Sequence, residues 1–300
     1  MNIAIAGGTG LIGRALTKYF IEKGHTVFVL TRNLRPNENN IQYVKWLTDD
    51  SHPERDLKPL DAFINLAGES LNSGRWTKKK KEEIINSRVE STQNAISLIS
   101  KLVQLPSVFI NSSGVSYYGA SLEHTFTEAS ETISSQGFLT DVAYRWEKEA
   151  KAAEALGVRT VIARTGVVLD KQQGALPKMV LPYRLLAGGT IGSGKQWISW
   201  IHLHDVVRLF EFVIQHKEIS GPVNFTSPYP VTMKDFGKTI SKVLHRPHWL
   251  PVPGVAFKLL LGEMSTLLLD GQKVVPEKAK SHGFSFEHPE LSTALKGIYS

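Results

Sequence analysis

The first thirteen residues constrain the fold of this chain more than any other stretch. Asn2 to Ala6 is a short apolar run that reads as a buried strand. It breaks into Gly7-x-x-Gly10-x-x-Gly13 and then into a helical pattern from Leu11 to Lys23. Strand, glycine turn and helix in that order can set a pyrophosphate on a helix N-terminus, where free amides and the helix dipole meet it. Gly7 allows the tight turn, Gly10 lets backbone approach the phosphates, and Gly13 lets helix and strand pack closely. Gly7, Thr9, Gly10, Leu11, Ile12 and Gly13 are therefore the candidate cradle for a dinucleotide.

Bulk properties narrow the class. Three hundred residues suit one large α/β domain, or a domain with a smaller appendage. No stretch reaches the roughly 18 apolar residues of a membrane span, and the first strand begins at once, so no leader peptide is expected. With no cysteine, disulfides, thiol nucleophiles and thiolate metal sites are excluded. A cytoplasmic protein with no membrane partner is the expectation. The net charge of +7 suits an anionic cofactor as well as nucleic acid. The basic run Lys78-Lys79-Lys80-Lys81 leads into Glu82-Glu83 without interleaved aromatics, so it reads as a solvated helix face. The expected partner is a small-molecule substrate and not nucleic acid. The oligomeric state is left open, a homodimer included.

Strands and helices alternate, which predicts a doubly wound, Rossmann-type parallel sheet. Strands are expected at Asn2–Ala6, Thr26–Thr31, Gln42–Trp46, Ala62–Leu66, Val108–Ser112 and Arg159–Ala163. Helices are expected at Leu11–Lys23, Lys78–Lys101 and Leu139–Ala155. After Arg164 the rhythm changes to a glycine-rich loop, Gly188 to Gly194, and proline-bounded segments. Residues 1–165 are read as the cofactor domain, completed by parts of 200–226, where Val206–Gln215 looks like another helix on the sheet. Residues 166–248 are then mostly a smaller substrate-side lobe, and 249–300 a C-terminal appendage.

The end of the second strand discriminates between cofactors. An acid there suits a ribose 2′-hydroxyl, whereas a 2′-phosphate calls for arginine. Here Val27-Phe-Val-Leu-Thr31 ends in Arg32, with no acid before Glu38. A guanidinium fork at Arg32, helped by the Thr31 hydroxyl, predicts NADP(H). The fourth strand ends in Asn65-Leu66-Ala67-Gly68, a small-residue turn suited to close passage of adenine and ribose.

GGTGLIG, the Asn65–Gly68 turn and Ser112-Ser113 leading into Tyr117-Tyr118-Gly119 resemble the extended short-chain dehydrogenases/reductases, and more narrowly the atypical "epimerase family protein" group. Ser87-Arg88-Val-Glu-Ser-Thr92, Trp146-Glu147, Arg164-Thr-Gly-Val-Val-Leu169, Gly192 to Trp197 and Ser199-Trp-Ile-His202 carry the likeness further. Leu261-Gly-Glu-Met264, Gly271-Gln272, Pro276 and Gly283-Phe284 extend it into the appendage. The resemblance implies that Leu66 and Ala67 line the adenosine path, and that Glu83, Arg88 and Arg164 take cofactor-contact positions. Arg88, two turns along its helix, is also placed to anchor a phosphate or ribose.

The wider superfamily works through Tyr-x-x-x-Lys on a helix, with a serine polarising the carbonyl. Tyr144-Arg-Trp-Glu-Lys148 matches that spacing. Yet Leu139, Val142, Ala143, Trp146, Ala150 and Ala153 share one helical face, which predicts Tyr144 and Lys148 on the opposite, solvent side. If Glu147 is the acid that commonly follows the lysine by four residues, Leu139 and Ala143 hold the tyrosine and lysine positions. Ser113 is the better-placed catalytic candidate, with Ser112 its rival as a cofactor contact.

Lys178 and Gln196, near the glycine-rich loop, could hold an anionic or sugar-like ligand under a lid. His202-Leu-His204-Asp205 lacks a third clustered ligand in sequence, so no metal is expected and His204-Asp205 is read as capping the next helix. The leading reading is an NADP(H)-dependent oxidoreductase or epimerase on a small polar or sugar-like carbonyl, and the alternative is a catalytically silent NADP(H)-binding regulatory or scaffold protein.

Overall fold

A computed structural model describes residues 1–38, 40–133 and 137–300. Its centre is a seven-stranded, wholly parallel sheet. The strands are β1 (Asn2–Ala6), β2 (Thr26–Thr31), β3 (Ile41–Lys45), β4 (Ala62–Asn65), β5 (Val108–Gly114), β7 (Arg159–Thr165) and β11 (Gly221–Phe225). Three two-stranded ribbons use β6 (Thr125–Phe126) with β13 (Lys273–Val274), β8 (Val167–Leu169) with β10 (Trp200–His202), and β9 (Trp197–Ile198) with β12 (Val231–Thr232). The helices are α1 (Leu11–Glu22), α2 (Pro53–Asp56), α3 (Lys78–Ser100), α4 (Phe138–Ala150), α5 (Leu176–Arg184), α6 (Leu203–Gln215), α7 (Met233–Leu244), α8 (Gly254–Leu261), α9 (Thr266–Leu269), α10 (Glu277–Ser281) and α11 (Leu291–Tyr299). None of them is long and apolar enough to cross a membrane.

The alternation within β1 shows why the sheet is covered twice. Side chains on a strand point to opposite faces in turn. Ile3 and Ile5 pack with Leu16 and Phe20 of α1 and with Leu209, Phe210 and Val213 of α6. Ala4 and Ala6 pack with Ala95, Leu98 and Ile99 of α3. Both faces are apolar, as a buried parallel sheet requires. A third cluster joins Leu176 and Val180 of α5, Phe236 and Ile240 of α7, and Leu291, Leu295 and Ile298 of α11 around Trp200.

Sheet order is β11-β7-β5-β4-β1-β2-β3. The winding reverses between β1 and β4, so a crevice opens there at the strands' carboxyl ends. Several elements depart from the sequence reading. The helix expected to run to Ala155 changes to a 3-10 turn at Lys151–Leu156 and stops before Gly157, whose left-handed φ of 77° ends it. α6 starts at Leu203 because His202, not His204-Asp205, is the cap: its imidazole accepts from the His204 N–H at 3.1 Å. The Gly188–Gly194 loop is pinned to the following segment, with Gly192 N–H donating to Val252 O at 2.9 Å and Trp249 N–H donating to Gly188 O.

Candidate functional site

The two turns flanking the crevice touch each other. Gly7 has φ of 76°, and a Cβ there would lie 2.8 Å from the Leu66 carbonyl carbon. A Cβ on Gly13 would strike the Gly7 carbonyl and come 2.6 Å from Gly8 Cα. Glycine is needed at both places for a packing reason, and Gly7 also for a conformational one. Gly10 caps α1 without a side-chain acceptor, and no acid occupies the first turn. The amides of that turn thus lack a carboxylate competitor for an anion.

A cleft of about 850 Å³ runs from this turn. Gly7, Thr9, Gly10, Thr31, Arg32, Leu66, Ala67 and Gly68 all line it, so eight sequence-selected positions converge on one cavity. Leu11, Ile12 and Gly13 lead from it into α1. Arg32 is exposed, and the Thr31 hydroxyl exchanges hydrogen bonds with the Asn33 backbone. The cleft also takes in Arg35, Ser87, Ser91 and Lys101, which sequence reasoning missed. The signal for Arg35 was present in Arg32-Asn-Leu-Arg35, a second cation three residues beyond the first.

A buried polar network sets the adjoining turn. Asn65 Nδ2 donates to Asn111 Oδ1 at 2.8 Å and to Thr92 Oγ1 at 3.1 Å, and Trp146 Nε1 donates to the same hydroxyl at 3.0 Å. Asn65 Oδ1 in turn accepts from Ala67 N–H. Sequence reading passed over this pair, although both strands carry Phe-Ile-Asn and register sets Asn65 opposite Asn111.

The remaining candidates separate. Arg88 is buried, donates to the carbonyls of Glu69 (2.9 Å) and Ile84 (3.0 Å), and backs against Gly68. Burial pushes its pKa down to about 10. It shapes the turn from behind and does not line the cleft. Glu83 pairs with Lys80 on the surface at 3.4 Å. Ser112 is half-buried, its carbonyl accepting from Asn111 Nδ2.

Ser113, Glu147 and Arg164 form one buried unit. The Ser113 hydroxyl donates to Glu147 Oε1 at 2.7 Å, and Arg164 holds both carboxylate oxygens, at 2.9 and 2.8 Å. Burial opposes the Arg164 charge, but the Glu147 hydrogen bonds and field raise its pKa above the ordinary value. The guanidinium also stacks on the Tyr117 ring, 3.6 Å from its centroid. Ser113 thus offers its proton to a carboxylate rather than to a carbonyl in the cleft.

Tyr144 is 54% exposed and Lys148 is exposed too, while Val142, Ala143, Trp146, Glu147 and Ala150 are buried. The tyrosine–lysine spacing therefore lies on the outer face of α4. Lys178 is exposed near the start of α5. Gln196 is only 2% exposed, and its amide is spent on Ile191 O, Leu268 O and the Ser193 hydroxyl. It braces the glycine-rich loop.

A doubly wound parallel sheet with a glycine turn at its switch point defines a Rossmann-type α/β protein. The model of the NAD dependent epimerase/dehydratase family matches residues 3–225, and the chain belongs to that family. A domain of unknown function matches residues 252–298. The epimerase family protein YfhF of Bacillus subtilis is 50% identical, over 99% of this chain and 98% of that one. A relative in Staphylococcus saprophyticus, epimerase family protein SSP1921, is 43% identical over 98% of each chain. Among solved structures, the human epimerase family protein SDR39U1 with NADPH superposes with a TM-score of 0.88 at 32% identity, covering 99% of both chains.

Proposed function

We propose that this chain binds NADP(H) in the cleft between the Gly7–Gly13 and Leu66–Gly68 turns, while its Tyr144–Lys148 spacing lies on the outer face of α4. The carrying observation is that the Arg32/Arg35 pair lines the same cleft as the start of α1, which has no side-chain cap. The α1 start suits a pyrophosphate and the arginine pair a 2′-phosphate. The NADPH carried by the human relative supports the same cofactor.

The two functional readings part at Ser113. An oxidoreductase or epimerase acting on a polar or sugar-like carbonyl needs a hydroxyl to polarise the oxygen and an acid to protonate it. Here the hydroxyl is turned to Glu147, and Tyr144 and Lys148 lie on the exposed face of α4. That arrangement favours cofactor binding without the standard chemistry, as in a regulatory or scaffold protein.

Fluorescence titration with NADPH and NADH tests the cofactor assignment. Loss of a charge-assisted phosphate contact of about 1.5–3 kcal/mol corresponds to roughly 10- to 100-fold in affinity. Arg32→Ala is expected to weaken NADPH by about that factor and NADH by little. Equal losses for both cofactors would refute the assignment.

A further inference from the structure

Folding supplies the partners that His202-Leu-His204-Asp205 lacks in sequence. The segment carrying Glu287 and His288 returns from the C-terminal region to the start of α6. His204, Glu287 and His288 there hold ligand atoms all within 4.8 Å of one another. His204 comes from α6 and Glu287 and His288 from the returning C-terminal segment, and none of the three lines the dinucleotide cleft.

The backbone beneath this group is fixed in advance. Asp205, fully buried, accepts from the N–H groups of Glu287 and His288, both at 2.9 Å. Arg208 donates to Asp205 Oδ1 at 3.1 Å and to Ser285 O at 3.0 Å. Its Nε also pairs with Glu287 Oε1 at 3.2 Å, which leaves Oε2 facing His204 Nδ1 at 3.0 Å. Orienting contacts of this kind behind the ligands are what a metal site requires. A nitrogen–oxygen separation of 3.0 Å also fits one edge of a tetrahedron, since ligand bonds of ~2.0–2.1 Å give edges of about 3.3 Å.

We propose that His204, Glu287 and His288 form a binding site for one divalent ion of the zinc class, fastening the C-terminal segment to α6. Two imidazoles and one carboxylate select zinc over magnesium or calcium, which prefer oxygen donors. Asp205 and Glu287 together outweigh the Arg208 charge, so the pocket carries net negative charge for a cation. His202, whose ring lies 4.0 Å from that of His288, is not a fourth ligand in this arrangement. Its Nδ1 accepts from His204 N–H, so the neutral ring carries its proton on Nε2. Water completes the coordination.

The test is isothermal titration of chelator-treated full-length protein with zinc chloride, alongside thermal melting with zinc or magnesium. The expected result is saturable uptake of one zinc ion per chain, with a raised melting temperature that magnesium does not reproduce. His204→Ala and His288→Ala should each weaken zinc by at least about tenfold while NADPH titration stays unchanged. Glu287→Gln keeps the side-chain size and should weaken zinc as well. No saturable uptake by the wild-type chain, or equal uptake by the His204→Ala/His288→Ala double variant, overturns the proposal.

Discussion

Glu147 shows how much one side chain can decide. It is a buried carboxylate with two obligations, the Arg164 fork and the Ser113 hydroxyl. A pair of this kind is weak evidence for net stability, because both charges lose their hydration. Breaking it is another matter, since the surviving charge stays buried alone. Glu147→Gln is therefore expected to destabilise the fold by about 3–5 kcal/mol, read as a lower urea midpoint at unchanged m-value. A shift under about 1 kcal/mol would show that water reaches Arg164 once the carboxylate is gone. The sequence pointed to Glu147 through the family resemblance at Trp146-Glu147, and to Ser113 through its place at a strand end. It could not show that the two meet, because they lie on separate elements and contact is a property of packing.

At the scale of elements, the β1–turn–α1 unit was the most legible part, and geometry explains why. Each glycine there answers a local demand that leaves a mark in the sequence. Gly13 meets backbone atoms, the Gly7 carbonyl and Gly8 Cα, which cannot swing aside as a side-chain tip could. Gly13→Ala should therefore distort the turn, cost roughly 1–3 kcal/mol by overpacking, and abolish measurable NADPH binding. Gly297 supplies the control. It sits within α11 with nothing within 4 Å of a built Cβ, so Gly297→Ala should raise stability by up to about 1 kcal/mol. Paired melting curves and NADPH titrations check both, and a Gly13→Ala protein with wild-type affinity would dissolve the close-packing argument. The outer face of α4 was legible for the same local reason, its 3.6-residue apolar period leaving Tyr144 in solvent. The α6 start was misread because a histidine is an uncommon cap and the Asp205 carboxylate had a distant use.

Across the whole molecule, the C-terminal region is less an appendage than its position at the end of the chain suggests. β13 pairs with β6, Ser199 Oγ donates to Gln272 O and accepts from Val274 N–H, and Gly271 packs on the Trp197 backbone. Phe284 joins the core under the sheet, and Leu291, Leu295 and Ile298 close the cluster around Trp200. None of this was readable from residue patterns, since contacts such as Ser199–Gln272 and Ser199–Val274 span 73 and 75 residues of chain. Deleting residues 249–300 should thus expose two apolar surfaces at once, lower the melting temperature and increase binding of a hydrophobic dye. A deletion this large could fail for trivial reasons, so Leu295→Ala, at a fully buried position, asks the same question gently. Truncating a buried leucine costs about 2–5 kcal/mol when its surroundings cannot collapse. If the region is integral, Leu295→Ala lowers stability by that amount in one cooperative transition detected alike by circular dichroism and NADPH release. If it folds as a separate unit, the variant melts in two steps, with NADPH retained through the first.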